Sequence, residues 1–185
     1  MSRISTWKKS FEDSSRLFET AFGKLTTGEL NWKPNETAWS IGQIVDHLIR
    51  INESYYPVFD ELKQGRDSTP WIARIGFIPS FFGKFILASV EPSRTKKIKT
   101  FPVWTPSSGA VASDIVEQFT SHHLGFIRKL EAHEDLFGKG IVVSSPANRY
   151  VVYPLDTAIE ILIQHEKRHY NQALEVKGLQ KGTQF

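Results

Sequence analysis

Apolar residues near the start of the chain recur at helical spacing. Ile4, Trp7, Phe11, Phe18, Phe22 and Leu25 lie three, four or seven positions apart and make one stripe on a helix, with Gly28 just beyond its end. A second helix is announced by "TAWSIGQI", where Ser40 and Gln43 have capping-box spacing and Trp39 can staple onto Ile44. Its stripe of Ile41, Ile44, Leu48, Ile51, Tyr55, Phe59 and Leu62 predicts one helix stopping near Gly65. A third helix begins near Ser113 or Asp114, with Val116, Phe119, His123, Phe126 or Ile127, and Leu130 on one face. The fourth follows the β-branched linker "GIVVSSPANRYVVYPL", in which Pro154 is placed as a first-turn proline. The linker can hold a strand pair or a loop. Four long helices already supply two packed layers, which favours a loop with some extended backbone.

The connections constrain the topology. Helices one and two are joined by about a dozen residues and three and four by about twenty, whereas 65–112 separates two from three. A long middle connection suits an all-α four-helix bundle with a crossover between its second and third helices. Length and apolar content (185 residues, 40%) fit a single domain over 1–185.

Composition narrows the function classes. With no cysteine there is no disulfide, thiolate metal site or cysteine nucleophile, which fits a reducing, cytoplasmic setting. The N-terminal "MSRISTWKKSFEDSS" lacks the apolar core of a signal peptide. Net charge is +3, and the one dense basic run, "SRTKKIK" at 93–99, reads as a solvated loop, so no nucleic-acid partner is expected. The greasiest stretch, 71–90, is interrupted by Arg74, Gly76, Pro79, Gly83 and Lys84 and does not read as a membrane span. It is expected to be a buried connector or a lid, with interfacial membrane contact the lesser reading. Trp71, Phe77, Phe81, Phe82 and Phe85 offer more apolar surface than one connector needs, which points to a homodimer.

The fourth helix carries the candidate chemistry. "QHEKRHYNQ" contains H-E-x-x-H, with His165 and His169 one turn apart on the apolar stripe and Glu166 between them. Imidazoles at i and i+4 can converge on one ion at about 2.1 Å. Buried as a pair, they need partners for their ring nitrogens, which neighbouring helices could also supply. The protease reading of the motif fails for want of a third ligand downstream. No histidine follows His169, and Glu175 lies about 120° around the helix from it. The third ligand then comes from upstream. His47 lies beside the second helix's stripe and His123 on the third helix's core face, and geometry leaves both open. His133 falls at that helix's end and is expected to be exposed. Glu166, about 100° from His165, is expected to pair with a basic residue or a group beside the site. Gln43, Ser54 and Gln172 could line a pocket, and Tyr55, Tyr56 and Tyr170 are available proton donors.

Two stretches carry a resemblance, "LNWKPNETAWSIGQIVDHLIRINESYY" at 30–56 and "YPLDTAIEILIQHEKRHYNQ" at 153–172. The tryptophan–serine opening of the second helix, a histidine two turns in, and H-x-x-x-H on the last helix resemble the DinB/YfiT-like superfamily of metalloenzymes. The spacing matches from end to end, although 65–112 itself carries none of these features. The resemblance implies an antiparallel four-helix bundle holding a divalent metal through His47, His165 and His169, with His123 in the core or beside the site. It also implies a small-molecule substrate, since members include metal-dependent transferases acting on low-molecular-weight thiols. Hydrolysis would use the same centre. Imidazole-only ligation favours zinc or nickel. The competing expectation is a non-enzymatic bundle whose histidines hold a metal for stability, or none.

Overall fold

The structure, a computed structural model, describes residues 2–66, 68–93 and 100–182. From residue 94 on, the basic run at 93–99 lies outside the described residues. Helices α1 (Arg3–Phe22), α3 (Ile41–Ser54), α6 (Ile115–Ala132) and α7 (Leu155–Gly182) form the bundle, joined by the shorter α2 (Thr27–Asn31), α4 (Tyr56–Lys63) and α5 (Ile78–Ser89). Among the described residues the fold is all-α apart from a two-stranded sheet of β1 (Val142–Ser145) and β2 (Asn148–Pro154).

Side-chain pairings fix the helix directions. Ser15 meets His123 and Phe18 meets Phe119, so α1 and α6 are antiparallel. Asn52 meets Glu166 and His47 meets His169, so α3 and α7 are antiparallel too. Glu53 lies by His122 and Asp60 by Lys129, so the α3–α4 arm runs parallel to α6. The crossover makes this arrangement, because it carries the chain back to the starting end before α6 begins.

Local chemistry sets most boundaries. Ser2 caps α1, and Thr26–Glu29 and Ser40–Gln43 form complete capping boxes on α2 and α3. Thr26 therefore starts a new helix at the point where Gly28 was expected to mark a stop, and Gly28 lies within α2. The second predicted helix is in fact two, divided at Tyr55. Pro57 has no N–H for the helical ladder, and α4 restarts with the proline in its first turn. Gly65, at φ 71°, supplies the left-handed turn after α4. The linker before α7 is a paired antiparallel hairpin in place of the expected loop, with Val143 opposite Tyr153 and both buried. Pro154 closes β2 and precedes α7 instead of occupying its first turn.

The core falls into two apolar halves. One gathers Phe11, Tyr55, Phe59, Phe126 and Leu162; the other gathers Phe18, Phe22, Ile44, Phe119 and Ala173. Between them each bundle helix places one buried polar residue at the same level: Ser15, Asn52, His123 and Glu166. The 71–90 segment forms a 3₁₀ turn (Trp71–Arg74) and α5, which packs on β2 and α7. Gly83 permits this approach, since a Cβ there would stand 3.1 Å from Thr157 and 3.4 Å from Tyr153. Among the described residues, no helix is long and apolar enough to cross a membrane.

Candidate metal centre

The cap at Ser40 sets the rotation of α3, and with it the side on which His47 emerges. Two turns in, His47 is buried, and its ring lies 4.7 Å from that of Trp39. Trp39 thus packs on the imidazole as well as on the core half that includes Ile44. On α7, one helical turn stacks His165 and His169, with their Nε2 atoms 3.0 Å apart. His169 is buried and His165 partly exposed. The rings of His47 and His169 are 4.8 Å apart at their centroids, and those of His47 and His165 5.3 Å. One ligand-capable nitrogen from each of the three lies within 4.8 Å of the others. Three nitrogens at about 2.1 Å from one tetrahedral ion stand about 3.4 Å apart, so this donor set fits a divalent cation. The three histidines could hold a metal ion.

The outer nitrogens of His47 and His169 are already engaged. His47 Nδ1–H donates to the Trp104 carbonyl at 2.6 Å, and His169 Nδ1–H donates to Gln172 Oε1 at 2.8 Å. Each bond fixes the tautomer and leaves Nε2 with a lone pair facing the cluster, the usual arrangement behind a metal-ligating histidine. Burial is the main force pushing the His47 pKa down to about 4 and that of His169 down to about 3. Burial, then the charges of His169 and His47, hold His165 well below its ordinary value. All three rings are neutral at neutral pH, which is the form a metal requires.

Glu166 faces elsewhere. Its Oε1 accepts from Asn52 Nδ2 at 2.9 Å and from His123 Nε2 at 3.0 Å, and the Ser14 hydroxyl also bonds the carboxylate. His123 completes the layer through Nδ1 and the Ser15 hydroxyl, 2.7 Å apart. The glutamate of H-E-x-x-H is therefore buried in the polar layer between the core halves, and His123 is held there with it. His133, expected to be exposed, is buried. Its Nδ1 bonds the Lys129 carbonyl at 2.8 Å and its ring packs against Phe59, because the chain turns back over the end of α6.

The crossover touches the cluster through residues 102–107. Trp104 caps His47, and its indole N–H donates to Ser54 Oγ at 3.1 Å. Asp46 accepts from the Ser107 N–H and Gln43 donates to the Ser107 carbonyl, which fastens this stretch along α3. No side-chain pattern pointed to Trp104, since its functional atom is a backbone carbonyl. The tyrosines are placed otherwise: Tyr55 shares a 2.6 Å hydroxyl bond with Tyr153, Tyr56 packs on Phe126, and Tyr170 on Phe18 and Phe22. A cleft of about 320 Å³ between α4 and the hairpin is lined by Ser54, Leu62, Arg66 and Val143, with none of the three histidines in its wall.

Compared with known protein families, residues 10–173 match the DinB superfamily. The chain belongs to the DinB superfamily. The match spans α1 to the histidine-bearing part of α7, so the DinB assignment covers the helices that build the cluster. No curated protein and no solved structure matches the chain.

Proposed function

We propose that this DinB-superfamily chain is a divalent-metal-dependent enzyme with His47, His165 and His169 as ligands. The observation that carries the reading is the convergence of three neutral imidazoles from two helices, two with Nδ1 committed and Nε2 turned inward. Neutral ligands leave a bound ion its full charge, and the ion would supply Lewis acidity toward a water or a thiol. Zinc or nickel suits an all-imidazole set. The substrate class favoured is a small electrophile with a low-molecular-weight thiol as co-substrate, which a cysteine-free chain must obtain from solution; hydrolysis is the neighbouring activity. His47 and His169 are oriented by Trp104 and Gln172, so the protein's part is to hold two of the three donor nitrogens with their lone pairs in place before the ion arrives.

A second reading draws on the cleft between α4 and the hairpin, which none of the three histidines lines. In it the ion braces α3 against α7 and no substrate reaches it. Elemental analysis of tag-free protein, beside His47→Ala and His165→Ala, tests the ligand set. Near-stoichiometric metal lost in both variants is expected, and metal-free wild type that resists zinc and nickel would overturn it. Thiol-transfer and hydrolysis screens on the loaded protein then separate enzyme from brace.

A further inference from the structure

The side of α5 turned away from β2 and α7 is aromatic and uncovered. Phe77, Phe81 and Phe85 recur at i, i+4 and i+8 and are 72%, 61% and 62% exposed, and Trp71 in the preceding turn is 73% exposed. Helical spacing puts the three phenylalanines in one row. Pro79 and Gly83 lie on the buried side, and Ile86 and Leu87 pack partly against the core, so the row is not a misplaced core face. Within the segment the charges have one sign, while Asp67 and Glu91 flank it in sequence and Glu61 accepts from the Ser68 hydroxyl at its start. Residues 68–90 contain Arg74 and Lys84 and no acidic residue. Arg149 lines a cleft with Ser68 and Thr69, which sets a third cation beside the start of the segment.

We infer that this face docks on an anionic lipid surface. An interfacial helix inserts an aromatic row into the headgroup region while flanking cations meet lipid phosphates, and Trp and Phe are suited to that depth. A second copy fits less well. Four side chains about two-thirds exposed offer on the order of 500 Å², so a second copy would need further contacts around the row to reach the roughly 800 Å² per partner of a stable interface. The inference does not depend on a metal. Arg168, between His165 and His169 in sequence, donates to the Ser89 carbonyl at 2.7 Å, so the docked helix and the histidine helix are fastened together.

Flotation of the full chain with vesicles of equal parts phosphatidylcholine and phosphatidylglycerol, against phosphatidylcholine alone, tests it. Co-flotation with the anionic vesicles is expected, roughly tenfold weaker on neutral ones and reduced by added salt. Phe81→Ser with Phe85→Ser, and separately Arg74→Glu with Lys84→Glu, should each weaken partition by roughly tenfold or more. If one pair fails to fold, the other pair and the lipid comparison still decide. Absence of flotation, equal binding to both vesicles, or unchanged binding in the folded variants would overturn the inference. A dimer that dissociates in the phenylalanine variant, without flotation of the wild type, would overturn it by assigning the face to a second copy. Flotation unchanged by a chelator separates this result from the metal reading.

Discussion

Replacing Glu166 by alanine takes the acceptor from two buried donors at once. Asn52 and His123 are each 1% exposed, so neither Asn52 Nδ2 nor His123 Nε2 can turn to bulk water when the carboxylate goes. A buried polar group left without its partner costs about 1–3 kcal/mol. Two such groups, one held by α3 and one by α6, should lower stability by about 3–5 kcal/mol, the range seen when one partner of a buried pair is removed. At about 2–4 °C per kcal/mol for a chain of this size, the midpoint should fall by roughly 10 °C. Urea unfolding with a chelator present isolates this brace from any metal. Glu166→Gln keeps an acceptor oxygen and should cost about 1 kcal/mol. If Glu166 acted instead as a general base, the way the H-E-x-x-H pattern suggests, alanine would remove activity and leave stability almost untouched. A Glu166→Ala protein within about 1 kcal/mol of wild type would refute the brace.

Acid stability should report on His122, whose Nε2 is buried without a hydrogen-bond partner among the described residues. Burial, with His123 adding to it, pushes the His122 pKa from 6.5 down to about 4. The folded state therefore resists protonation that the unfolded chain accepts. Its contribution is full above pH 6.5 and is lost as pH falls toward 4, by roughly 3 kcal/mol at the low end. His122→Phe, packed between Tyr56 and Phe126, should flatten that part of the urea-midpoint profile; an unchanged slope would count against it. Gly42→Ala should cost about 1–3 kcal/mol by overpacking, since its Cβ would overlap Val111 Cγ2 and stand 3.1 Å from the Leu30 carbonyl. Gly28→Ala, whose Cβ would meet Thr26 Oγ1 at an ordinary 4.0 Å, should be neutral or slightly stabilising in the same thermal melt.

The sequence by itself determined the four bundle helices and two of the three histidines. Stripes such as Val116–Phe119–His123–Leu130 follow from the helical period alone, and the Ser40–Gln43 box marked the start of α3 because capping is a local reaction between neighbours. His165 and His169 were legible for the same reason, since one helical turn stacks them whatever the rest of the chain does. His47 was a candidate beside His123 until the resemblance separated them. Which of the two meets α7's pair depends on how α3 and α6 are turned about their axes, a property of the packed bundle. Packing placed His47 against His165 and His169 and gave His123 to Glu166. The break at Tyr55 was missed because the apolar stripe runs on through Pro57 into α4. The hairpin and the burial of His133 needed contacts between distant parts of the chain. So did the Trp104 carbonyl on His47, which involves a backbone atom 57 positions away in sequence and leaves no mark in side-chain pattern. Local hydrogen bonding and periodicity wrote the elements; long-range packing alone decided which polar groups face one another.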